Sequence, residues 1–312
     1  MLPTFLGIGS MRCGTTWLHE ILARHPQIRM TDAKEPSFFD RTIIQRGLRW
    51  YERLFDPRAG EGPRAIRGEI SPGYCTLSRR EVEFVHRLLP AARIILVLRN
   101  PIERTWSQAV YQLGRLRFRT FDEVPVMRFT RHFDRRRTRQ YNDYERMLDT
   151  WTPVYGGGAM HVAVYEELGR DPAGYVRAVL RHIGADDSRL PDEEMLANRV
   201  RATQSLEMPE VIRWYLAHRY RASIERLNAR LDGRLEGWVQ SMEGVSCPSM
   251  TWRLRRAVDR AWATFAERVP YAAFEQVRRM RRRAGYRAVS RQRAGEGRWS
   301  TPPAAVAGCS RP

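Results

Sequence analysis

The chain has 312 residues, 43% of them hydrophobic, which is enough for one large domain with a core of its own. Its formal net charge is +19, and Lys34 is the single lysine among 54 basic residues; a field of this sign favours anionic ligands, and a basic, well-solvated surface accounts for it better than nucleic-acid binding does. No run of about 18 apolar residues predicts a membrane-spanning helix, and no basic leader precedes the first strand.

The first strand is read at residues 5–9 (Phe-Leu-Gly-Ile-Gly) and the first helix from Thr16 to His25, where Pro26 ends it. A short strand, Ile28 to Met30, precedes Lys34-Glu35-Pro36-Ser37-Phe38-Phe39-Asp40, and residues 47–55 read as helical. Ala65 to Ile70 is a strand, Ser71 to Tyr74 a turn, and Ser78 to Leu89 a helix closed by Pro90. Arg93 to Leu98 is a continuous apolar run, the pattern of a strand buried on both faces of a parallel sheet. Arg99-Asn100-Pro101 breaks it, and Pro101 suits the first position of the next helix. Residues 113–140 read as an irregular, arginine-rich surface insertion. A helix near 141–151, a strand from Met160 to Val164, a helix at 172–183, a loop at 196–209 and a long helix at 210–232 ending near Gly233 follow. The alternation predicts an α/β fold, a three-layer sandwich with a mostly parallel central sheet. Residues 1–244 form its main domain on this reading.

Beyond about residue 245, Leu254, Val258, Trp262, Phe265 and Val269 recur at helical spacing, as do Tyr271, Phe274, Val277 and Met280. Residues 245–290 thus read as a basic amphipathic helical extension, packed on the main domain or touching a membrane surface peripherally. Residues 291–312 lack periodicity and are expected to be disordered. Cys13, Cys75, Cys247 and Cys309 have no paired spacing for zinc or a disulfide framework, so free thiols and a cytoplasmic protein are expected.

The chemistry concentrates in two places. Gly9-Ser-Met-Arg-Cys-Gly14-Thr-Thr-Trp17 lies between a strand and a helix, the layout in which backbone N–H groups and a helix N-terminus cradle a phosphate. Gly9 and Gly14 keep the spacing of the nucleotide-triphosphate loop G-x-x-x-x-G-K-[ST]. The lysine position, however, is Thr15, and the cation sits inside the loop as Arg12. At the second place the buried strand ends in Arg99 rather than in a metal-ligating Asp, with Ser107 two turns into the following helix. A guanidinium there suits a phosphate oxygen and ligates no metal. Two anion holders of this kind suit a nucleotide with 5′ and 3′ phosphates and call for no metal.

These segments resemble the sulfotransferases that use 3′-phosphoadenosine 5′-phosphosulfate (PAPS). Residues 9–17 look like their 5′-phosphosulfate loop. Leu98-Arg-Asn-Pro-Ile-Glu-Arg-Thr-Trp-Ser107 looks like their 3′-phosphate motif, L-R-[ND]-P-x-x-R-x-x-S. Lys34-Glu35-Pro36-x-Phe38-Phe39, followed by Gly47-x-x-Trp50-Tyr51, resembles the segment of the carbohydrate-type branch, which includes heparan sulfate sulfotransferases and bacterial relatives. Tyr165-Glu166-x-Leu168 and a long helix closing at Gly237-Trp238 fit the same pattern, so the resemblance spans roughly residues 4–240.

The resemblance implies sulfuryl transfer from PAPS to a hydroxyl carrier, a glycan or another small or anionic metabolite. It makes Glu35 the general base and Arg12 the group that neutralises charge on the bridging oxygen. Arg12, Cys13, Gly14, Thr15, Thr16, Trp17, Arg99, Ser107, Arg199 and Arg201 become the donor-binding residues. Each has a plainer alternative: a structural ion pair for Glu35, helix capping for Thr15 and Thr16, core packing for Trp17, surface charge for Arg199 and Arg201. The heparan-type enzymes carry a lysine where this chain has Ile70. The rival readings are a P-loop nucleotide kinase or NTPase and a non-enzymatic nucleic-acid-binding protein.

Overall fold

The computed structural model describes residues 1–57, 66–113, 126–197 and 207–245, together with Tyr286 and Ser290. The chain divides into two compact units: Met1–Leu98 with Met147–Val200 and Phe274–Pro312, and Arg99–Arg146 with Arg201–Ala273.

The first unit is built on a five-stranded sheet, in the order β2-β3-β1-β4-β5, whose neighbouring strands all run parallel. The strands are β1 (Phe5–Gly9), β2 (Ile28–Met30), β3 (Ile66–Ile70), β4 (Arg93–Leu98) and β5 (Met160–Val164). All five residues of β1 are buried, as are the last five of β4, which is why both read as continuous apolar runs. Alternation along each strand sends side chains to opposite faces. Ile70, Ile95, Val97 and Ala163 meet Trp17, Leu18, Ile21 and Leu22 of α1 (Thr15–Arg24) and Val176, Val179 and Leu180 of α9 (Pro172–Ile183) in one core cluster. Glu69, next to Ile70, points to the other face. There it meets Tyr51 of α2 (Ile43–Arg53) and Tyr74 of a 3₁₀ turn (Pro72–Thr76). Helices therefore cover both faces, as the alternation predicts.

Several local signals set the helix ends. His25 closes α1, Ser78 and Glu81 form a capping box at the start of α3 (Arg79–Leu88), and Asp171 caps α9, which ends at the left-handed Gly184. The helix expected at residues 47–55 starts earlier. A π-helical turn at Phe38–Thr42 leads straight into α2, which bends at Gly47, where φ is 68°. The stacked rings of Phe38 and Tyr51 and the edge contact of Phe39 with Tyr51 draw this segment into the core.

The second unit is helical: α4 (Pro101–Leu113), α5 (Val126–Asp134), α6 (Arg136–Gln140), the first residues of α7 (Tyr144–Tyr155), α11 (Glu210–Arg230) and α12 (Glu236–Gln240). Residues 126–140 are thus helical rather than an irregular surface insertion. Phe129 and Phe133, four apart on α5, bury themselves against Trp106 and Tyr215 despite the arginines around them. The long helix α11 ends at Arg230, and Trp238 belongs to α12; Asp232 (φ 52°) and Gly233 (φ 78°) turn the chain between them. Residues 114–125, Arg199, Arg201, most of the 245–290 extension and the 291–312 tail lie outside the described residues. Within the extension, Tyr286 stacks on Phe84 and donates its hydroxyl to the Phe39 carbonyl at 2.7 Å. Two short helices, α8 (Tyr165–Arg170) and α10 (Glu193–Ala197), complete the first unit.

Candidate active site

In the first unit the anion loop runs from the end of β1 to the start of α1. Its backbone occupies conformations that ordinary residues avoid: φ is 151° at Gly9, 69° at Arg12 and 75° at Gly14. The glycines are needed for space as well. A Cβ at Gly9 would lie 2.8 Å from Cys75 Cβ, and one at Gly14 would lie 2.9 Å from the Tyr165 ring. Tyr165 and Leu168, which opened no chemistry in the sequence, are therefore the floor under Gly14. Non-glycine residues held at positive φ gather at functional sites, and Arg12 is one of them.

Gly14 is the N-cap of α1 and provides no side-chain cap, and no acidic residue sits in the first turn of the helix. The first N–H groups of α1 are thus left to an incoming anion rather than closed off internally. Thr15 is buried and Thr16 half-buried on that first turn. Cys13 is buried with its thiol directed at the Met11 carbonyl, 3.8 Å away, and Trp17 is buried in the core cluster, its ring edge against Tyr175. These two positions therefore shape the loop by packing. Cys13 and Cys75 are free thiols.

Glu35 stands on the turn before the π-helical segment, exposed, with φ of 57°, and Lys34 donates to its Oε1 at 2.6 Å. Ser37 follows at φ 51°. His19 links this turn to the loop. It lies one helical turn after Thr15 and Thr16 on α1, and its imidazole feels both Lys34 and Glu35. Burial, reinforced by Lys34 and opposed by Glu35, lowers the His19 pKa to about 4, so the ring is neutral near pH 7. Glu35 thus lies within electrostatic reach of His19 on α1, and its ion-pair partner is Lys34 rather than an arginine.

Behind the turn, Glu69 is fully buried and accepts three hydroxyl hydrogen bonds: from Ser71 at 2.5 Å, Tyr74 at 2.5 Å and Tyr51 at 2.7 Å. Burial raises its pKa to about 7; the three hydroxyls pull it back down, and buried Asp40 adds to the rise. Burial and the Glu69 charge raise the Tyr51 and Tyr74 pKa values in turn. Nothing in the sequence gave Glu69 a role of its own; two of its hydroxyl partners, Ser71 and Tyr74, follow it in the same segment, and the third, Tyr51, comes from α2. Ile70, the position of the heparan-type lysine, is buried in the core cluster, and a Cβ on Gly7 would lie 2.7 Å from its side chain.

In the second unit, Arg99 is half-buried at the start of α4. The Tyr144 hydroxyl brackets its backbone, donating to the Arg99 carbonyl at 2.8 Å and accepting from its N–H at 3.4 Å. Asn100 Oδ1 accepts from the Ile102 N–H at 3.0 Å, which caps α4 and leaves Pro101 at a position needing no donor. Arg104 is fully buried and donates to Asn142 Oδ1, to Gln108 Oε1 at 2.8 Å and to the Thr138 carbonyl at 3.4 Å. The second arginine of the motif is thus a packing anchor. Ser107 follows it by three residues on α4 and is half-buried.

Fold and loop together define a parallel α/β protein with a glycine-containing loop between its first strand and first helix. Residues 74–189 match the model of the sulfotransferase family, and this segment is a sulfotransferase-family segment. The chain is 31% identical to heparan sulfate glucosamine 3-O-sulfotransferase 3B1 of Mus musculus over 199 residues, covering 59% of this chain and 46% of that protein. It is 35% identical to the membrane-associated sulfotransferase kil1 of Dictyostelium discoideum over 107 residues, covering 34% and 22%. The chain therefore spans less than half the length of these curated relatives. A crystal structure of a sulfotransferase from Alicyclobacillus acidocaldarius superimposes with a TM-score of 0.62 at 24% identity, covering 76% of this chain and 99% of that one, and so shares the fold.

Proposed function

We propose that this chain transfers a sulfuryl group from PAPS to an acceptor hydroxyl and releases adenosine 3′,5′-bisphosphate. The observation that carries the reading is a loop with Arg12 at φ 69° leading into a helix without a side-chain cap, together with Glu35 on a left-handed turn within electrostatic reach of His19 on that helix. In the proposed step the acceptor oxygen attacks sulfur while the bond from sulfur to the 5′-phosphate oxygen breaks. Glu35 takes the hydroxyl proton, and the 5′-phosphate leaves with the electron pair. Arg12 stabilises the charge gathering on that leaving oxygen; a guanidinium does this electrostatically and transfers no proton. The loop amides with Thr15 and Thr16 hold the phosphosulfate. The roles of Arg99 and Ser107 at the 3′-phosphate rest on the Leu98–Ser107 motif, and those of Arg199 and Arg201 over the adenosine rest on the resemblance.

The acceptor is proposed to be a carbohydrate hydroxyl, because one relative named above is a heparan sulfate glucosamine 3-O-sulfotransferase. Ile70, buried where heparan-type enzymes carry lysine, argues for an acceptor less anionic than heparan. A cytoplasmic setting goes with this reading. Among the described residues no helix is long and apolar enough to cross a membrane.

A melting-temperature comparison tests the donor assignment. Adenosine 3′,5′-bisphosphate at about 100 times its dissociation constant adds about 2.7 kcal/mol of stability, and AMP at the same concentration adds far less. Equal shifts with AMP remove the 3′-phosphate assignment. A larger shift with ATP and Mg²⁺ favours the kinase reading, and salt-sensitive binding to any duplex favours nucleic acid.

A further inference from the structure

We propose that Glu69 is the positioning residue for Glu35: through Ser71 and Tyr74 it holds the strained turn that presents the base. The inference rests on the reading of Glu35 given above and adds a residue that never touches the acceptor. A hydroxyl has one proton. Ser71 and Tyr74 both direct theirs at the Glu69 carboxylate, to Oε2 and Oε1 respectively. Their lone pairs are thereby turned outward, and backbone N–H groups fill them. The Ser37 N–H donates to Ser71 Oγ at 3.0 Å, and the Phe38 N–H donates to the Tyr74 hydroxyl at 2.9 Å.

Those two amides sit immediately after Glu35-Pro36. Glu35 and Ser37 are both left-handed, with φ of 57° and 51°. Non-glycine residues leave that region unless their surroundings hold them there. Pro36 between them has a fixed φ and passes the constraint along. Glu69, on the rigid strand β3 and fully buried, fixes the direction of both hydroxyls. The chain of direct hydrogen bonds runs from β3 to the turn, and each bond polarises the next. Glu35 itself is exposed, pairs with Lys34 and lies within electrostatic reach of His19, so its backbone sets where the carboxylate is presented.

The test uses the full-length protein and exploits its single lysine. An endoprotease specific for lysine can cut only at Lys34–Glu35, so its rate under native conditions reports opening of this turn alone. Ser71→Ala removes the acceptor for the Ser37 N–H. Cleavage is expected to accelerate about tenfold or more, the size of one lost buried hydrogen bond. Val179→Ala, a core truncation on α9, serves as the control for general loosening. Sulfuryl transfer from radiolabelled PAPS to de-O-sulfated heparan sulfate is expected to lose turnover in Ser71→Ala by about the same factor. Affinity for adenosine 3′,5′-bisphosphate stays at the wild-type value, and Ser71→Thr, which keeps a hydroxyl, recovers turnover. Cleavage no faster than in Val179→Ala overturns the inference, as does full turnover in Ser71→Ala. If wild-type protein transfers no sulfate to that acceptor, the catalytic reading is what fails, and the cleavage comparison alone decides whether Glu69 and Ser71 hold the turn.

Discussion

Replacing Glu69 by glutamine keeps the shape of the side chain and removes its titration. Burial lifts the Glu69 pKa from 4.5 to about 7 against the pull of the Ser71, Tyr74 and Tyr51 hydroxyls, with Asp40 the charged group that adds to the rise. Between those two values the folded chain holds a proton that the unfolded chain has released. Stability from this group is therefore greatest at low pH and is lost as pH rises through 7. A rise from 4.5 to about 7 corresponds to about 3 kcal/mol, most of it expressed between pH 5 and 8. His19 and His132 act in the opposite sense, because their folded pKa values are lowered to about 4 and about 3, and the stability they contribute is lost as pH falls below 6.5. Both histidines are present in wild type and variant, so they cancel in the difference. Urea unfolding of wild type and Glu69→Gln at a series of pH values is the assay. The stability difference is expected to move in favour of the variant by about 2–3 kcal/mol from pH 5 to pH 8. A difference that stays flat across this range refutes the assignment of Glu69 as a buried carboxyl that ionises near neutrality.

Three further outcomes follow from the same geometry. Arg99→Ala should fold, because the Tyr144 hydroxyl holds the Arg99 backbone rather than its side chain; calorimetry should find bisphosphate binding weakened by about 1.5–3 kcal/mol, and unchanged affinity would dismiss the phosphate role. Glu35→Gln should retain bisphosphate affinity while kcat falls about 10²–10⁴-fold, and near-wild-type turnover would assign the proton to another group. His132 is fully buried with both ring nitrogens unpartnered, its pKa held down by burial and by Arg135 and Arg104. His132→Leu should therefore raise stability at pH 5 by about 1–2 kcal/mol, read from denaturant midpoints, and a loss of stability would mean that the imidazole has a partner in solution.

Elements with strong local signals were legible in the sequence. The apolar run of β1 read as a strand, and that of β4 as a strand buried on both faces of a parallel sheet. Pro26, Pro90 and Pro101 marked helix ends, because backbone geometry acts over a few residues. The anion loop and the Arg99 turn were legible for the same reason: each is a short contiguous segment whose backbone and side chains share one task. Residues 126–140 were not. Their arginine content signalled surface, while two phenylalanines four apart found Trp106 and Tyr215, and Tyr215 lies more than 80 residues away on α11.

The candidate site divides along the same line. Arg12, Gly14 and the two threonines were read from the order and spacing of the loop, and Glu35 from the resemblance. Tyr165 under Gly14, His19 beside Glu35, and Tyr51 on Glu69 are contacts between separate elements, and no spacing rule encodes them, whereas Ser71 and Tyr74 reach Glu69 from within its own segment. Local geometry is set by each residue and its neighbours, so one sequence suffices to read it. The environment of a buried carboxylate depends on which segments the sheet brings together behind it, and that is decided only when the chain has folded.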